Sequence, residues 1–354
     1  MSSGRDATAM RRAIEVGARH NPHPNPRVGA VLLDHSGEVL AEAGHVAAGE
    51  IHAEQALLEA FGRVPADATL VVTLEPCVHT GRTPPCVDAV IEYGVRRIVI
   101  GTIDPDSRVA GRGIDALRAA GIEVVVGVEP DAVEAADPGY FHHRRSGLPL
   151  VTLKQAATLD GQTAAADGTS KWLTSDIARM DSHRLRSVHD AVLVGAGTVR
   201  ADDPRLDVRL PGYEGPQPVP VVVVGSRPLP ADLRIWERHP IVLASDESVL
   251  PGLDVIRCGS AGVVDFKRGL AALGDRGLLT ILVEGGAGVA AGLWEAGLVE
   301  RGVYYLSAKI AGGMGRGAFD RVFTTLDDAI DVEITAITRV GPDIRIEWHR
   351  ARSS

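Results

Sequence analysis

Apolar residues recur near helical spacing at Ala9, Ala13, Ile14, Val16 and Gly17 until Asn21-Pro22 breaks the pattern, which predicts an opening helix. Two short apolar runs follow, 28–33 and 39–43, separated by Asp34-His35-Ser36-Gly37, the chemistry of a hairpin turn. The pattern then alternates. Helices are predicted over 52–61, 86–93 and 114–120 and strands over 70–73, 97–102 and 123–126, so this part of the chain should form a sheet covered by helices. Between 137 and 150 the sequence turns polar, with His142, His143, Arg144 and Arg145 ahead of Gly147 and Pro149, and a domain junction is expected there. The expected domains are 1–146 and 147–354. In the second, strands are predicted over 150–156, 191–194, 219–224, 241–243, 279–283 and 303–306, and helices over 175–188, 263–273 and 289–296. The tail alternates over 331–340 and 344–349 about Gly341-Pro342-Asp343, as a closing hairpin does.

Length and composition agree with this picture. A chain of 354 residues exceeds the size at which single cores stop growing, so two domains are the first expectation. Apolar residues make up 45% but aromatics only 4%, so the cores must be built from Val, Ile, Leu and Ala, as in α/β proteins. A formal charge of -9 repels polyanions and argues against nucleic acid as a partner. No apolar run approaches a membrane span and the first twenty residues lack a continuous apolar stretch, so no membrane partner and a cytoplasmic location are expected. Three cysteines cannot make a disulfide framework, and a reducing compartment leaves them free for metal.

The sharpest chemical signal is His52-Ala53-Glu54 followed by Pro76-Cys77 and then Cys86 at a helix start. One imidazole and two thiolates bind Zn²⁺ and leave its fourth tetrahedral position for water, the arrangement catalysis needs. Glu54, two residues beyond His52, can face the same pocket without binding the metal and act as general acid/base. The pattern is that of the zinc deaminases, here with a wider cysteine spacing. The bland alternative makes His52 a helix cap, Glu54 a solvated residue and the cysteines small core residues; a structural zinc would need a fourth ligand, for which His79 is nearest. Between the cysteines, His79, Arg82 and Thr83 offer donors to an anionic group. Cys258 lies outside these motifs and reads as a buried bystander.

The second half offers glycine-rich turns after apolar strands, VLVGAGTV at 192–199 and LVEGGAGV at 282–289, which let backbone N–H groups approach phosphates. Neither is a GxGxxG fingerprint, so a Rossmann domain is not expected. Ser226-Arg227 follows a strand and is a plausible place for a 2′-phosphate.

Read in order, NPRVGAV, GHVAAGEIHAEQAL, TLEPCVHTGRTPPC and DPDSRVAGRGI resemble the deaminase domain of the bifunctional riboflavin-biosynthesis deaminase/reductase family. VTLKQAATLDGQTA, SKWLTS, VLVGAGTVRADDPRLDVR and VEGGAGV continue the likeness, which covers about residues 8 to 348. It implies a cytidine-deaminase-like α/β/α domain followed by a dihydrofolate-reductase-like α/β domain. The implied reactions are zinc-dependent deamination of a phosphoribosylamino-pyrimidine, then NADPH-dependent reduction of its ribosyl chain to ribityl. By this resemblance His52, Cys77 and Cys86 are the zinc ligands and Glu54 the catalytic acid/base, while Asn25, His45, His79, Arg82 and Asp104 line the deaminase substrate site. Lys154, Ser170, Arg186, Leu206, Arg209 and Glu284 fall on the reductase substrate side, and Ala157, Trp172, Thr198, Asp202, Ser226, Gly286, Ala287 and Gly288 on the NADPH side. Lys154, Asp202 and Glu284 are candidates for proton delivery or polarisation, and Arg186 and Arg209 for holding the substrate phosphate. The chain departs from the family pattern with Arg82 where Lys is common and Asp106 where Asn is frequent. The expected partners are a small phosphorylated pyrimidine and further copies of the chain in a homo-oligomer. The rival readings are a zinc deaminase acting on a nucleoside or tRNA base, and a zinc-stabilised binding module without catalysis.

Overall fold

The computed structural model of the chain describes residues 4–79, 84–227, 229–246, 252–313, 315–319 and 325–351. It divides into two compact units, Met1–Ser146 and Gly147–Ser354.

The first unit runs α1 (Gly4–Ala18), β1 (Gly29–Leu33), β2 (Val39–Gly44), α2 (Ala53–Phe61), β3 (Thr69–Leu74), α3 (Cys86–Glu92), β4 (Arg97–Thr102), α4 (Arg112–Ala119), β5 (Glu123–Val126), α5 (Pro130–Ala136) and α6 (Pro138–Ser146). Its sheet has the order β2-β1-β3-β4-β5, antiparallel as far as β3 and parallel from β3 to β5. Every position of β1 is buried, because helices cover both faces of the sheet. Met10 and Ala13 of α1, Leu57 and Leu58 of α2 and Leu117 of α4 close over Val31, Leu32, Ile98 and Ile100. The approach of α1 is so close that a Cβ on Gly29 would stand 1.9 Å from the Ala13 carbonyl oxygen. Since β3 and β4 are parallel, their carboxyl ends lie side by side, and residues following each strand can meet.

The stretch expected as a polar junction is helical up to Ser146. In α6, Tyr140 and Phe141 are buried, while His142 to Arg145 are partly or fully exposed. Three consecutive buried positions in nine residues left too little apolar periodicity to reveal a helix.

The second unit runs β6 (Leu150–Thr158), α7 (Asp176–Ser187), β7 (Ala191–Gly195), α8 (Ala196–Asp202), β8 (Val219–Val224), β9 (Ile241–Ala244), β10 (Asp254–Arg257), β11 (Gly259–Ser260), β12 (Val263–Val264), α9 (Phe266–Asp275), β13 (Thr280–Val283), α10 (Ala287–Glu295), β14 (Arg301–Ser307), β15 (Val332–Val340) and β16 (Asp343–Arg350). The sheet order is β10-β9-β8-β7-β13-β6-β14-β16-β15. Strands β10 to β14 in that order are parallel, and the terminal hairpin β15–β16 adds antiparallel strands. The central strands are continuous apolar runs with a core on each face, one around Leu153, Leu193 and Leu270, the other around Val192, Val222 and Leu282. The helix expected over 263–273 begins later: Val263-Val264 pair with Gly259-Ser260, and Asp265 then caps α9 by accepting a hydrogen bond from the Arg268 N–H at 3.0 Å. Among the described residues no helix is long and apolar enough to cross a membrane.

Candidate metal centre and nucleotide cavity

In the first unit the chain returns three times to the carboxyl end of β3. His52 is the N-cap residue of α2, Cys77 follows β3, and Cys86 opens α3 after Pro84-Pro85. The His52 Nδ1 lies 3.1 Å from Cys86 Sγ and 3.7 Å from Cys77 Sγ, and the two sulfurs are 3.4 Å apart. Tetrahedral zinc with ordinary Zn–N and Zn–S bonds separates such donors by about 3.6–3.8 Å. Three converging soft donors near that spacing fit a zinc ion, and they are the group of metal-binding side chains that the described residues bring together. Hydrogen bonding with Cys86 holds the Cys77 thiol well below its ordinary range against the opposing effect of burial, and His52 adds to the shift. The same sulfur contact, together with burial, pushes Cys86 up.

Glu54, in the first turn of α2, is 3% exposed and its Oε2 has no hydrogen-bond partner. Burial pushes its carboxyl up to about 7, although His52 opposes the rise. A buried carboxyl with a bare oxygen beside three metal donors suits proton transfer better than support of the fold.

A cavity of ≈ 360 Å³ opens on this centre, lined by Asn25, His45, His52, Cys77, His79 and Asp104, together with Glu50, Asp106, Arg108, Tyr140 and Arg144. Asn25 Nδ2 donates to His45 Nε2 at 3.0 Å, which leaves His45 Nδ1 to donate to the Ile51 carbonyl at 3.2 Å. Burial, with help from His52, holds His45 below its usual pKa, so the ring is neutral and its tautomer fixed. Asp104 accepts from the Tyr140 hydroxyl at 3.0 Å and the Asp106 N–H at 2.9 Å, and burial raises its carboxyl. Arg82 lies outside the described residues.

Sequence reading missed Glu75. This residue is 3% exposed, and its carboxylate accepts from the N–H groups of Asp104, Gly111, Gly113 and Ile114 at 2.8–3.3 Å, fastening the loop after β4 to the end of β3. Its one sequence signal was its position before Pro76-Cys77. Tyr140 and Arg144 carried none, because α6 reaches the cavity only through tertiary packing.

In the second unit a cavity of ≈ 880 Å³ lies at the carboxyl ends of the central strands. Ser170, Thr198, Asp202, Glu284, Gly286, Ala287 and Gly288 line it, joined by Lys171 and Arg316, which sequence reading did not single out. Gly286 caps the N-terminus of α10, so backbone N–H groups and the helix dipole face an incoming anion. Arg186 grips Glu284 through two hydrogen bonds, 2.6 and 3.0 Å, and Lys154 Nζ stands 3.9 Å from the same carboxylate. Burial alone would raise the Glu284 carboxyl, but Arg186 and Lys154 overcome it and hold it at about 2. Lys154 is pulled down by burial against the attraction of Glu284.

The remaining residues expected here are not among those lining the cavity. Ala157 is buried near the end of β6, and Leu206 is 2% exposed. Arg209 is half exposed and pairs with Asp207. Trp172 is 64% exposed, with the Arg179 guanidinium 4.2 Å from its ring centroid, and borders a separate cavity of ≈ 300 Å³. Ser226 follows β8, beside Gly262.

Two family profiles match the chain. One, the cytidine and deoxycytidylate deaminase zinc-binding region, covers residues 3–102, and the other, the RibD C-terminal domain, covers residues 149–346. The riboflavin biosynthesis protein RibD of Chlamydia muridarum is 38% identical over 98% of this chain and 96% of its own. A solved structure of Acinetobacter baumannii RibD superposes with a TM-score of 0.90 at 32% identity, covering 98% of this chain and 99% of the other. The diaminohydroxyphosphoribosylaminopyrimidine deaminase/5-amino-6-(5-phosphoribosylamino)uracil reductase of Thermotoga maritima gives 0.87 at 33% identity, with the same coverage.

Proposed function

This chain belongs to the RibD family, and from that premise we propose that Met1–Ser146 deaminates a phosphoribosylamino-pyrimidine and Gly147–Ser354 reduces the ribosyl chain of the product with NADPH. The observation that carries the reading is the convergence of His52, Cys77 and Cys86 beside the unpartnered buried oxygen of Glu54.

His52, Cys77 and Cys86 would hold a zinc ion, which when bound would lower the pKa of a water from 15.7 to about 7. Glu54 Oε2 is the atom that accepts a proton from the attacking water and passes it to the ring nitrogen, then takes the second proton from the added hydroxyl and delivers it to the departing amine. Asn25 and neutral His45 present a fixed donor and acceptor pattern to the heterocycle, and Asp104, steadied by Tyr140, supplies a further acceptor. His79 lines the same cavity and, with Arg82, belongs to the substrate contacts in this reading.

In the reductase half NADPH supplies the hydride, so the protein's task is orientation. Gly286, Ala287 and Gly288, with Thr198 and Asp202, take the nucleotide, and Ala157, Trp172 and Ser226 complete that side. Glu284, kept anionic by Arg186 and Lys154, meets the substrate with Ser170, Leu206 and Arg209, and Lys154 is the proton carrier closest to that carboxylate. We further place the enzyme in the cytoplasm, where thiols stay reduced for metal binding, and as a homo-oligomer joined through the apolar face of its terminal hairpin.

The test follows ammonia and NADPH absorbance separately on purified protein. Glu54→Gln should keep about one zinc per chain and lose ammonia release by at least about 100-fold, while still oxidising NADPH when given the deaminated aminouracil. Normal ammonia release by this variant removes Glu54 from the mechanism.

A further inference from the structure

One wall of the deaminase cavity carries two guanidiniums. Arg108 and Arg144 stand together there beside Asp106, with Asp104 next to them occupied by the Tyr140 hydroxyl and the Asp106 N–H. Asp106 is fully engaged by Arg108: Arg108 Nη2 donates at 2.6 Å, Nε at 3.0 and 3.2 Å, and the Arg108 backbone N–H at 2.9 Å. That network holds the Asp106 carboxyl at about 2, so it stays charged and occupied, and it has no free edge to offer a ligand.

Arg144 is differently placed. Its Nε is 3.9 Å from Asp106 Oδ2, beyond hydrogen-bond distance, and that nitrogen is buried without a partner. The guanidinium lies 5.1 Å from the Tyr140 ring centroid, and Tyr140, whose hydroxyl donates to Asp104, holds it in place through ring and hydroxyl. An oriented guanidinium with a spare buried donor, on a cavity that also holds His52 and Cys77, is built for a planar or tetrahedral oxyanion. We propose that Arg144 grips the phosphate of the pyrimidine substrate during deamination and is a specificity-determining residue for the phosphorylated form. The inference rests on the deaminase reading above. It also accounts for the acid at position 106: Arg108 neutralises it, and Arg144 supplies the cation that an anionic substrate requires.

The experiment compares ammonia release by the full-length zinc-loaded enzyme from the phosphorylated pyrimidine and from its dephosphorylated riboside, for wild type, Arg144→Ala and Arg144→Gln, the last keeping the side-chain stem against Tyr140. In both variants the KM for the phosphorylated substrate should rise about 10- to 100-fold with kcat nearly unchanged, so that the two substrates converge. Inorganic phosphate should inhibit the wild type competitively and the variants far less. Arg144→Lys should recover part of the preference. An unchanged KM, or equal shifts for both substrates, overturns the role of Arg144 while leaving the deaminase reading intact. A wild-type enzyme inert on both substrates overturns the reading and this inference with it.

Discussion

His189 is 8% exposed; its Nδ1 donates to the Leu185 carbonyl at 2.6 Å and its Nε2 accepts from the Thr152 hydroxyl at 2.9 Å. Burial pulls its pKa down to about 4. The unfolded chain, with an ordinary value near 6.5, therefore takes up the proton first as the solution is acidified. The neutral ring contributes stability above pH of about 6.5, and that contribution declines as the pH falls towards about 4, by at most about 3 kcal/mol. All four tryptophans, Trp172, Trp236, Trp294 and Trp348, lie in the second unit, so intrinsic fluorescence follows its unfolding selectively. Between pH 7 and 4.5 the wild-type denaturation midpoint should fall further than that of His189→Gln. Equal falls would show that His189 has no part in acid lability. Single residues of this kind were not legible in the sequence. His52, Cys77 and Cys86 stood out because ligand chemistry constrains residue type and spacing together, whereas Glu75, Tyr140 and Arg144 gain their meaning only from neighbours brought near by folding.

The elements were readable where burial is continuous. Runs such as Val219 to Val224 have no polar alternation because both faces of a parallel strand are covered, and turn residues bound them clearly. Short helices with one to three buried positions escaped: α5 buries Val133, and α6 only Gly139, Tyr140 and Phe141. The start of α4 shows how an element can control the metal centre from a distance. Gly113 donates to Glu75 at 2.8 Å, and a Cβ there would stand 2.1 Å from the Pro76 carbonyl, next to Cys77. Gly113→Ala must move either α4 or the cysteine loop. It should cost about 1–3 kcal/mol and lower zinc content per chain, while reductase turnover stays at wild-type level. Full zinc loading in that variant would mean that the loop yields freely.

At the scale of the molecule, Ile334 and Ile337 are 56% and 67% exposed, on the side of the hairpin that also carries Trp348 and Ile346. This is the face proposed for assembly. In the homo-oligomer we propose, replacing both with Glu should give monomers in sedimentation velocity, with both activities measured alongside; a monomeric wild type at micromolar concentration would refute the assembly. The order of strands has another consequence. Because β13 sits between β6 and β7, the middle of the second sheet is completed by a segment that leaves the ribosome about ninety residues after β7. Until residue 283 is available, β6 and β7 each present an unprotected border of amide and carbonyl groups, the kind of border on which nascent chains stick to one another. Truncations or stalled synthesis upstream of that point should yield insoluble product, however intact the zinc-binding half may be.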